Sequence, residues 1–333
     1  MVYRRRLILL LGASALVTPF ASLAQTRPAP VIHRIGYLAA RSRSTLSNPD
    51  PYYDAFVAGM REHGYVEGKN LIVEWRFADG KYERLDALAA ELVASKVEII
   101  VTHATPPSQA AHRATKTIPI VTGSSGDPIG DGLAKSLAHP GGNVTGLSLM
   151  SVDLSGKWLE LLKIISPKLS RVGVLVNPGS TIGPLMLEKI RIAAQTLSLD
   201  VIPVEARSPE EIERAVAVMT KNRVDGVIVQ ADSFFLGQRQ QIAQLTIKYR
   251  LPSISPFREQ TAAGGLISYG QDLADHYRRS ATFVDKILKG AKPADLPFEQ
   301  PTKIHLAINR KTAKALGLTI SPELFLRADE LIE

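Results

Sequence analysis

Hydroxyl and carboxyl side chains follow two consecutive apolar segments, Val97–Val101 and Ile118–Val121. Both segments are short and rich in β-branched residues, which is typical of buried parallel strands. Because the carboxyl ends of parallel strands lie at one edge of a sheet, we expect the side chains that follow them to lie close together. Those that could hydrogen-bond a ligand carboxylate or amine are Thr105, Ser108, Ser124, Ser125 and Asp127.

Each of the two segments is followed by a pattern typical of a helix start. Thr105-Pro106 and Asp127-Pro128 both place a capping residue before a proline, which suits the first position of a helix. Two helix N-termini would then lie beside each other, and their free N–H groups and dipoles favour an anion. The alternative role of these hydroxyl and carboxyl groups is simple capping of the same turns, and the sequence leaves both roles open.

Strand and helix patterns alternate through most of the chain in two series. The first, from His33 to Ser148, contains five strand–helix units, and the second runs from Gly156 to about Ser255. This order predicts an α/β protein with two doubly wound parallel-sheet lobes. In the second lobe, three polar residues end buried strands and would face the loops of the first lobe, with turn formation as their alternative role. They are Asn177, Gln230 and Asp232.

The last part of the chain contains two strand–helix pairs that are too small to bury a core of their own. We expect Gly264–Lys289 to return to the first lobe and Ile304–Leu316 to extend the second. Three crossovers would then connect the lobes around a cleft, and Tyr269, at the end of the returning strand, could close it. The predicted lobes are 25–150 with 258–291, and 151–257 with 302–333.

The first 24 residues have the pattern of a secretory signal peptide. Arg4–Arg6 are basic, Leu7–Phe20 are apolar, and Ser22-Leu23-Ala24 places small residues before a cleavage site. The apolar run is shorter than the ~20 residues of a membrane-spanning helix, so an uncleaved anchor is the less favoured alternative. We therefore expect an exported protein whose mature chain begins near Gln25, by the general or the twin-arginine route.

Composition argues against several classes of function. The 333 residues include no cysteine, which excludes a thiolate nucleophile, iron–sulfur ligation and a lipid anchor on cysteine. The seven histidines lack the spacing of a metal site, and we expect neither a metal nor a cofactor. Loss of Arg4–Arg6 lowers the formal charge from +8 to +5, and no basic stripe is present, so we expect no nucleic-acid partner.

Catalytic motifs are incomplete. Gly123–Ser136 resembles a phosphate-binding loop only loosely, because Lys135 does not follow a glycine directly as that loop requires. Ser268 has Leu266 where the nucleophile motif of hydrolases needs glycine. These departures favour a binding protein over an enzyme.

Longer motifs are spread over the whole predicted mature chain, among them GYVEGKN at 64–70, HPGGNVTG at 139–146, FREQTAAGGLISYG at 257–270 and INRKTAKALGL at 308–318. On these motifs the chain resembles the family of ABC-transporter substrate-binding proteins that includes tryptophan- and tyrosine-binding lipoproteins. The resemblance implies the type I periplasmic-binding-protein fold and delivery of a small ligand to the ABC permease subunits of a membrane.

The resemblance also implies where a ligand would bind. The family's contacts come from loops that match Ser42–Thr45, Thr105–Ser108, Ser124–Asp127, Asn177 and Gln230–Asp232 here, which adds Ser42 and Thr45 to the candidate ligand-binding residues. Without the lipoprotein cysteine, the protein would be free in the periplasm of a two-membrane bacterium. We expect a monomer that captures an amino acid or similar carboxylate for an importer. The alternative is a periplasmic partner that presents its ligand to a membrane sensor.

Overall fold

A computed structural model describes residues 31–43 and 51–333. The predicted signal peptide, residues 1–24, and the candidate ligand residue Thr45 lie outside these residues. Within the described part, no helix combines the length and the apolar character needed to cross a membrane.

The first lobe is built on a five-stranded sheet. Its strands are β1 (His33–Ala39), β2 (Leu71–Phe77), β3 (Ile99–His103), β4 (Ile120–Ser125) and β5 (Val144–Ser148). They are all parallel and lie in the order β2-β1-β3-β4-β5. The helices that precede the first crossover are α1 (Pro51–Glu62), α2 (Leu85–Ala94) and α3 (Thr105–Ala114).

Both faces of this sheet are buried, because successive side chains of a strand point to opposite faces. In β3, Ile99 and Val101 contact the cluster that contains Phe56 of α1. Ile100 points the other way, into the cluster that contains Leu92 of α2. Burial on both sides explains why the strands read as continuous apolar runs.

The second lobe is built on a seven-stranded sheet. Its strands are β6 (Arg171–Val176), β7 (Asp200–Glu205), β8 (Gly226–Val229), β9 (Ser253–Ser255), β10 (Ile267–Gly270), β11 (His305–Asn309) and β12 (Glu330–Ile332). They lie in the order β12-β11-β10-β9-β8-β6-β7, and the β10–β11 pair is antiparallel. The helices of this lobe are α4 (Ser151–Ile165), α5 (Ile182–Leu197), α6 (Pro209–Lys221), α7 (Ser233–Gly237), α8 (Arg239–Lys248), α9 (Arg258–Ala262), α11 (Arg310–Leu316) and α12 (Pro322–Arg327).

One long helix, α10 (Leu273–Leu288), returns to the first lobe, where it packs against α1 and β4. The lobes are therefore connected three times: between β5 and α4, between β10 and α10, and between α10 and β11. The predicted fold class, two doubly wound α/β lobes with three crossovers, is confirmed.

The assignment of residues 258–270 to the first lobe is wrong. β10 pairs with β9 and β11 in the second sheet, and α9 packs against β10. The second crossover thus lies at 271–272 and not at the predicted boundary between 257 and 258. A strand and the helix that follows it can belong to different lobes. Here main-chain hydrogen bonds hold β10 in the second sheet, and the apolar face of α10 packs on the first lobe.

The helix expected after Asp127-Pro128 is also absent. Residues 127–143 form turns and irregular structure up to β5. The Asp127 carboxylate closes a tight turn, accepting hydrogen bonds from the N–H groups of Ile129 at 3.2 Å and Gly130 at 2.9 Å. Asp-Pro sequences start turns as readily as helices, and the glycines at 130 and 132 favour the turn.

Candidate ligand-binding site

The carboxyl ends of strands from both sheets face each other across a cavity of about 30 Å³, which we call the interlobe cavity. This volume is sufficient for about two water molecules, so a larger ligand requires the lobes or side chains to move. Its lining from the first lobe and the crossovers is Arg41, Ala104, Thr105, Pro106, Ser124, Gly126, Leu149, Leu273 and Tyr277. Its lining from the second lobe is Ser151, Ser180, Ile182, Ala231, Asp232, Ser233, Leu236 and Phe257.

Several hydrogen bonds join the lobes beside this cavity, and two of them end on carboxylates. The Tyr82 hydroxyl donates to Asp232 Oδ2 at 3.0 Å, and the Thr181 hydroxyl donates to Asp131 Oδ1 at 2.9 Å. The backbone of Gly126 also approaches the second lobe, since a Cβ atom added there would lie 3.1 Å from Ile182. The structure is therefore a closed form of the protein.

The three residues predicted from strand ends of the second lobe form one buried network. The Asn177 N–H donates to Gln230 Oε1 at 2.8 Å, and Asn177 Nδ2 donates to Asp232 Oδ1 at 3.1 Å. Asp232 also caps α7 by accepting from the Phe234 N–H at 2.9 Å. Of the three, Asp232 lines the interlobe cavity, and the other two hold it in place.

Burial raises the pKa of both partners in the Tyr82–Asp232 hydrogen bond. Burial raises the pKa of Asp232 above its usual value, although its hydrogen bonds act the opposite way. Burial likewise raises the pKa of Tyr82, with the nearby Asp232 carboxylate as the second cause. Tyr82 therefore remains a protonated donor at neutral pH.

A few buried polar atoms around the cavity lack a hydrogen-bond partner among the described residues. They include Ser151 Oγ, which lines the cavity, and Ser125 Oγ and Gln230 Nε2, which do not line it. A buried polar group without a partner costs about 1–3 kcal/mol. Native proteins keep such groups mainly where a ligand or water satisfies them.

The turn between β3 and α3 is strained at the cavity wall. Ala104 has φ 77° and ψ 158°, a region that residues with a Cβ rarely adopt. Two of the predicted site residues hold this turn: Ser124 Oγ accepts from the Ala104 N–H, and Ser108 Oγ donates to the Ala104 carbonyl, both at 2.9 Å. Ser108 also contacts the Thr102 hydroxyl at 2.7 Å and does not line the cavity.

The predicted pair of adjacent helix N-termini is not present. The second helix does not form, and α3 has proline at both 106 and 107, which removes two of its N-terminal N–H groups. The remaining hydroxyl, Thr105 Oγ1, donates to Asp131 Oδ2 at 2.9 Å and accepts from the Gly126 N–H at 3.2 Å. Thr105 thus lines the cavity, but its hydrogen bonds stabilise the first lobe.

A guanidinium group supplies the positive charge at the cavity instead. Arg41 Nη2 donates to the Tyr277 hydroxyl at 3.0 Å, and its Cζ lies 4.6 Å from the ring centre of Tyr52. The Tyr277 ring stacks on His103 with ring centres 3.4 Å apart. Burial and the nearby Arg41 charge lower the pKa of His103, which keeps that ring neutral.

The tyrosine at the cavity is Tyr277, on α10, and not Tyr269. Tyr269 belongs to β10, and its carbonyl accepts a hydrogen bond from the indole N–H of buried Trp158 at 2.7 Å. It does not line the cavity. The difference follows from the corrected crossover, since the strand stays in the second lobe and only the helix reaches the cleft.

In the first lobe, a carboxylate that bonds to the second lobe is Asp131, four residues after the predicted Asp127. Asp127 lies outside the interlobe cavity, where it closes its own turn. Asp131 accepts from one hydroxyl of each lobe, Thr105 and Thr181. Burial raises the pKa of Asp131 to about 6 despite these hydrogen bonds.

A second and larger cavity of about 270 Å³ opens beside the first. We call it the mouth cavity. Ser42, which is exposed, lines it, and Arg41 and Ser233 line both cavities. The remaining lining is Arg43, Pro51, Tyr52, Asp79, Gly80, Phe234, Gly237, Gln238, Arg239 and Glu259.

Four residues that line the interlobe cavity or bond across it were not predicted from the sequence: Arg41, Tyr82, Asp131 and Tyr277. Arg41 and Tyr82 follow β1 and β2, so the rule applied to β3 and β4 would have found them. Asp131 belongs to a second Gly-Asp pair, at 130–131, which repeats the pair at 126–127. The position of Tyr277 depends on how α10 crosses between lobes, for which the sequence has no local signal.

Comparison with known proteins identifies the class. The family described as ABC transporter substrate binding protein matches residues 48–332. The chain is 26% identical over 264 residues to the tyrosine-binding protein of Clostridioides difficile (strain R20291), covering 79% of this chain and 75% of that protein.

Two solved structures have the same fold over most of the chain. One is an ABC domain in complex with L-Trp from Streptococcus pneumonia, with a TM-score of 0.82 and 28% identity over 90% of this chain and 100% of that chain. The other is a conserved domain protein from Vibrio cholerae, with a TM-score of 0.82 and 27% identity over 90% and 99%.

The fold is that of the type I periplasmic binding proteins. Within that class, the chain belongs to the ABC transporter substrate-binding protein family, because the family match covers most of its length.

Proposed function

We propose that this protein is the periplasmic substrate-binding component of an ABC importer, and that it captures an amino acid or similar small carboxylate between its lobes. The observation that carries the proposal is the interlobe cavity itself. Arg41 lines it as a cation for a carboxylate, and Ser151 Oγ lines it as a buried polar atom with no partner among the described residues. Family membership and the names of the two relatives that bind tyrosine and L-Trp support the same ligand class.

Binding by closure follows from the arrangement of the lobes. The three crossovers are the connections about which the lobes would move apart, and the interlobe hydrogen bonds of Tyr82 and Asp131 form only when they close. A ligand that contacts both lobes binds the closed form better, and so shifts the equilibrium toward it. Delivery then requires a permease that recognises the closed form.

A thermal-shift screen tests ligand binding. Purified protein lacking residues 1–24 is heated with each of the twenty amino acids, aromatic acids and small dicarboxylates. A ligand present at 100 times its Kd stabilises the folded protein by about 2.7 kcal/mol and raises Tm. Calorimetry then gives Kd for the compounds that raise Tm.

Two variants make the screen specific for the interlobe cavity. Arg41→Gln should weaken binding roughly tenfold or more, because it removes a charged hydrogen-bond donor. Arg113→Gln is the matched control, since Arg113 lies at the far end of α3, where its ion pair with Asp86 is exposed. The proposal fails if no compound raises the Tm of the unaltered protein, or if Arg41→Gln leaves Kd unchanged.

A further inference from the structure

The mouth cavity contains an unusual concentration of guanidinium groups. Arg41 and Arg43 line it from the first lobe, and Arg239, at the start of α8, lines it from the second. Arg41 also lines the interlobe cavity, so the two cavities adjoin at this residue. Three positive side chains from two lobes thus face one space of about 270 Å³.

Two carboxylates, Asp79 and Glu259, belong to the described part of this lining, and they do not balance its three arginines. Asp79 forms an ion pair with Arg84 at 2.6 Å, and Arg84 is outside the lining. Glu259 lies near Tyr52, whose pKa is raised by burial first and by the Glu259 carboxylate second. Among the residues that the structure describes, the lining of the mouth cavity therefore carries more positive than negative charge.

The two outer arginines are available for a ligand. Within the described residues, no carboxylate oxygen lies within 4.0 Å of the guanidinium nitrogens of Arg43 or Arg239. Arg239 is oriented by one hydrogen bond, from Nη1 to the Leu236 carbonyl at 3.1 Å. Its other donor groups can face the cavity. Guanidinium groups bind carboxylates in a planar, two-point geometry.

We propose that the mouth cavity is a second ligand subsite that takes a carboxylate at the far end of the ligand. This inference rests on the proposed function and narrows its substrate class to dicarboxylates. One carboxylate would bind in the interlobe cavity beside Arg41, and the other between Arg43 and Arg239. The ligand's second charge would hold the two lobes together where their own side chains repel.

Repulsion between the arginines of the two lobes should also affect the ligand-free protein. Closure brings Arg43 and Arg239 into one cavity, and like charges in a confined space oppose it. The ligand-free protein should therefore be biased toward an open form at low ionic strength. Salt screens this repulsion, so the bias should weaken as ionic strength rises.

The test compares the double variant R43Q/R239Q with the charge-conserving control R43K/R239K and with Arg113→Gln. The first measurement is the radius of gyration of ligand-free protein by X-ray scattering, at low and high salt. The second is Kd by calorimetry for matched probes that differ in one carboxylate: 4-carboxy-L-phenylalanine against L-phenylalanine, and L-glutamate against L-glutamine.

The expected result is a preference for each dicarboxylate of about tenfold in the unaltered protein, as a charged hydrogen-bond pair provides. That preference should fall to a few-fold or less in R43Q/R239Q. It should fall less in R43K/R239K, which keeps both charges but loses the planar two-point geometry. The ligand-free R43Q/R239Q protein should also be more compact than the unaltered protein at low salt.

The outcomes separate the two proposals. Equal binding of both members of each probe pair overturns the second subsite and leaves the proposed function intact. If no compound binds at all, the proposed function fails, and the second subsite, which rests on it, fails with it. A radius that is the same in R43Q/R239Q and the unaltered protein at low salt overturns the inference.

Discussion

The two lobes present different kinds of polar side chain to the cavity between them. In the second lobe, Asn177 and Gln230 bond to their own lobe and hold Asp232 in place. In the first lobe, Tyr82 and Asp131 reach across and bond to the opposite lobe. The second lobe therefore offers a preformed surface, whereas the first lobe completes its hydrogen bonds only on closure.

Stability of the folded protein and the open–closed equilibrium both contribute to a measured affinity, and the two lobes should affect them differently. Residues of the preformed network should affect the stability of the folded protein whether or not the lobes close. Residues that reach across should affect the open–closed equilibrium, and through it the apparent affinity. Substitutions on the two sides should therefore have different effects on stability and on binding.

The largest effect is expected for Asp232→Ala, in the preformed network. The substitution leaves donors from Asn177, Phe234 and Tyr82 buried without their acceptor. We expect a loss of about 3 kcal/mol in the free energy of unfolding, measured by urea denaturation. Asp153→Ala, at an exposed position in the first turn of α4, is the control. A loss under about 1 kcal/mol would contradict the network role.

Tyr82→Phe should act on closure rather than on stability. It removes the hydrogen bond to Asp232 and the one that the Tyr82 oxygen accepts from the Phe234 N–H at 3.3 Å. It keeps the half-buried ring, which packs against apolar clusters of both lobes. We expect the apparent Kd for any ligand to rise about tenfold, because the closed form loses about 1.4 kcal/mol relative to the open form. Calorimetry measures Kd, and Tyr249→Phe serves as the control. An unchanged Kd would show that these bonds do not stabilise the closed form.

The fold is predictable from the sequence where the signals are local, and not where an element's position depends on the rest of the chain. Apolar runs and caps locate most strands and helices because those signals are local, as in the buried run of β6 and the Ser208 cap of α6. The lobe of β10 is not predicted, because it depends on which sheet edge is available when the strand docks. The turn at Asp127 is mistaken for a helix because the Asp-Pro pattern suits both.

The site is predictable to a smaller extent, for a related reason. Strand ends locate Asp232 and Ser124, since parallel strands direct their carboxyl ends to one edge. Asp131 and Tyr277 owe their positions to a long turn and to a helix that changes lobe. Whether a polar residue faces the ligand or supports a turn, as Ser108 does, depends on packing that the sequence pattern does not specify.

Asp131→Asn should change how closure depends on pH. Burial raises the pKa of Asp131 to about 6 in the closed form, above the usual value of 3.8. Between pH 3.8 and about 6, the closed form therefore binds more protons than an open form in which Asp131 has its usual pKa. Asp131 thus favours closure at low pH, and this contribution is lost as pH rises through about 6. The X-ray scattering radius should grow from pH 4.5 to 7 in the unaltered protein and change less in the variant. Equal pH profiles would contradict this role.

The smallest effect on binding is expected for Asp127→Ala, although the sequence alone marks Asp127 as a ligand partner. Its carboxylate accepts from the N–H groups of Ile129 and Gly130 and lies outside the interlobe cavity. Loss of this turn cap should lower stability by about 1 kcal/mol, as measured by urea denaturation, and leave Kd within about twofold. Asp127→Asn, which keeps an acceptor oxygen, should recover most of that stability. A tenfold rise in Kd with unchanged stability would instead place Asp127 in contact with the ligand, and would mean that the turn rearranges when the lobes open.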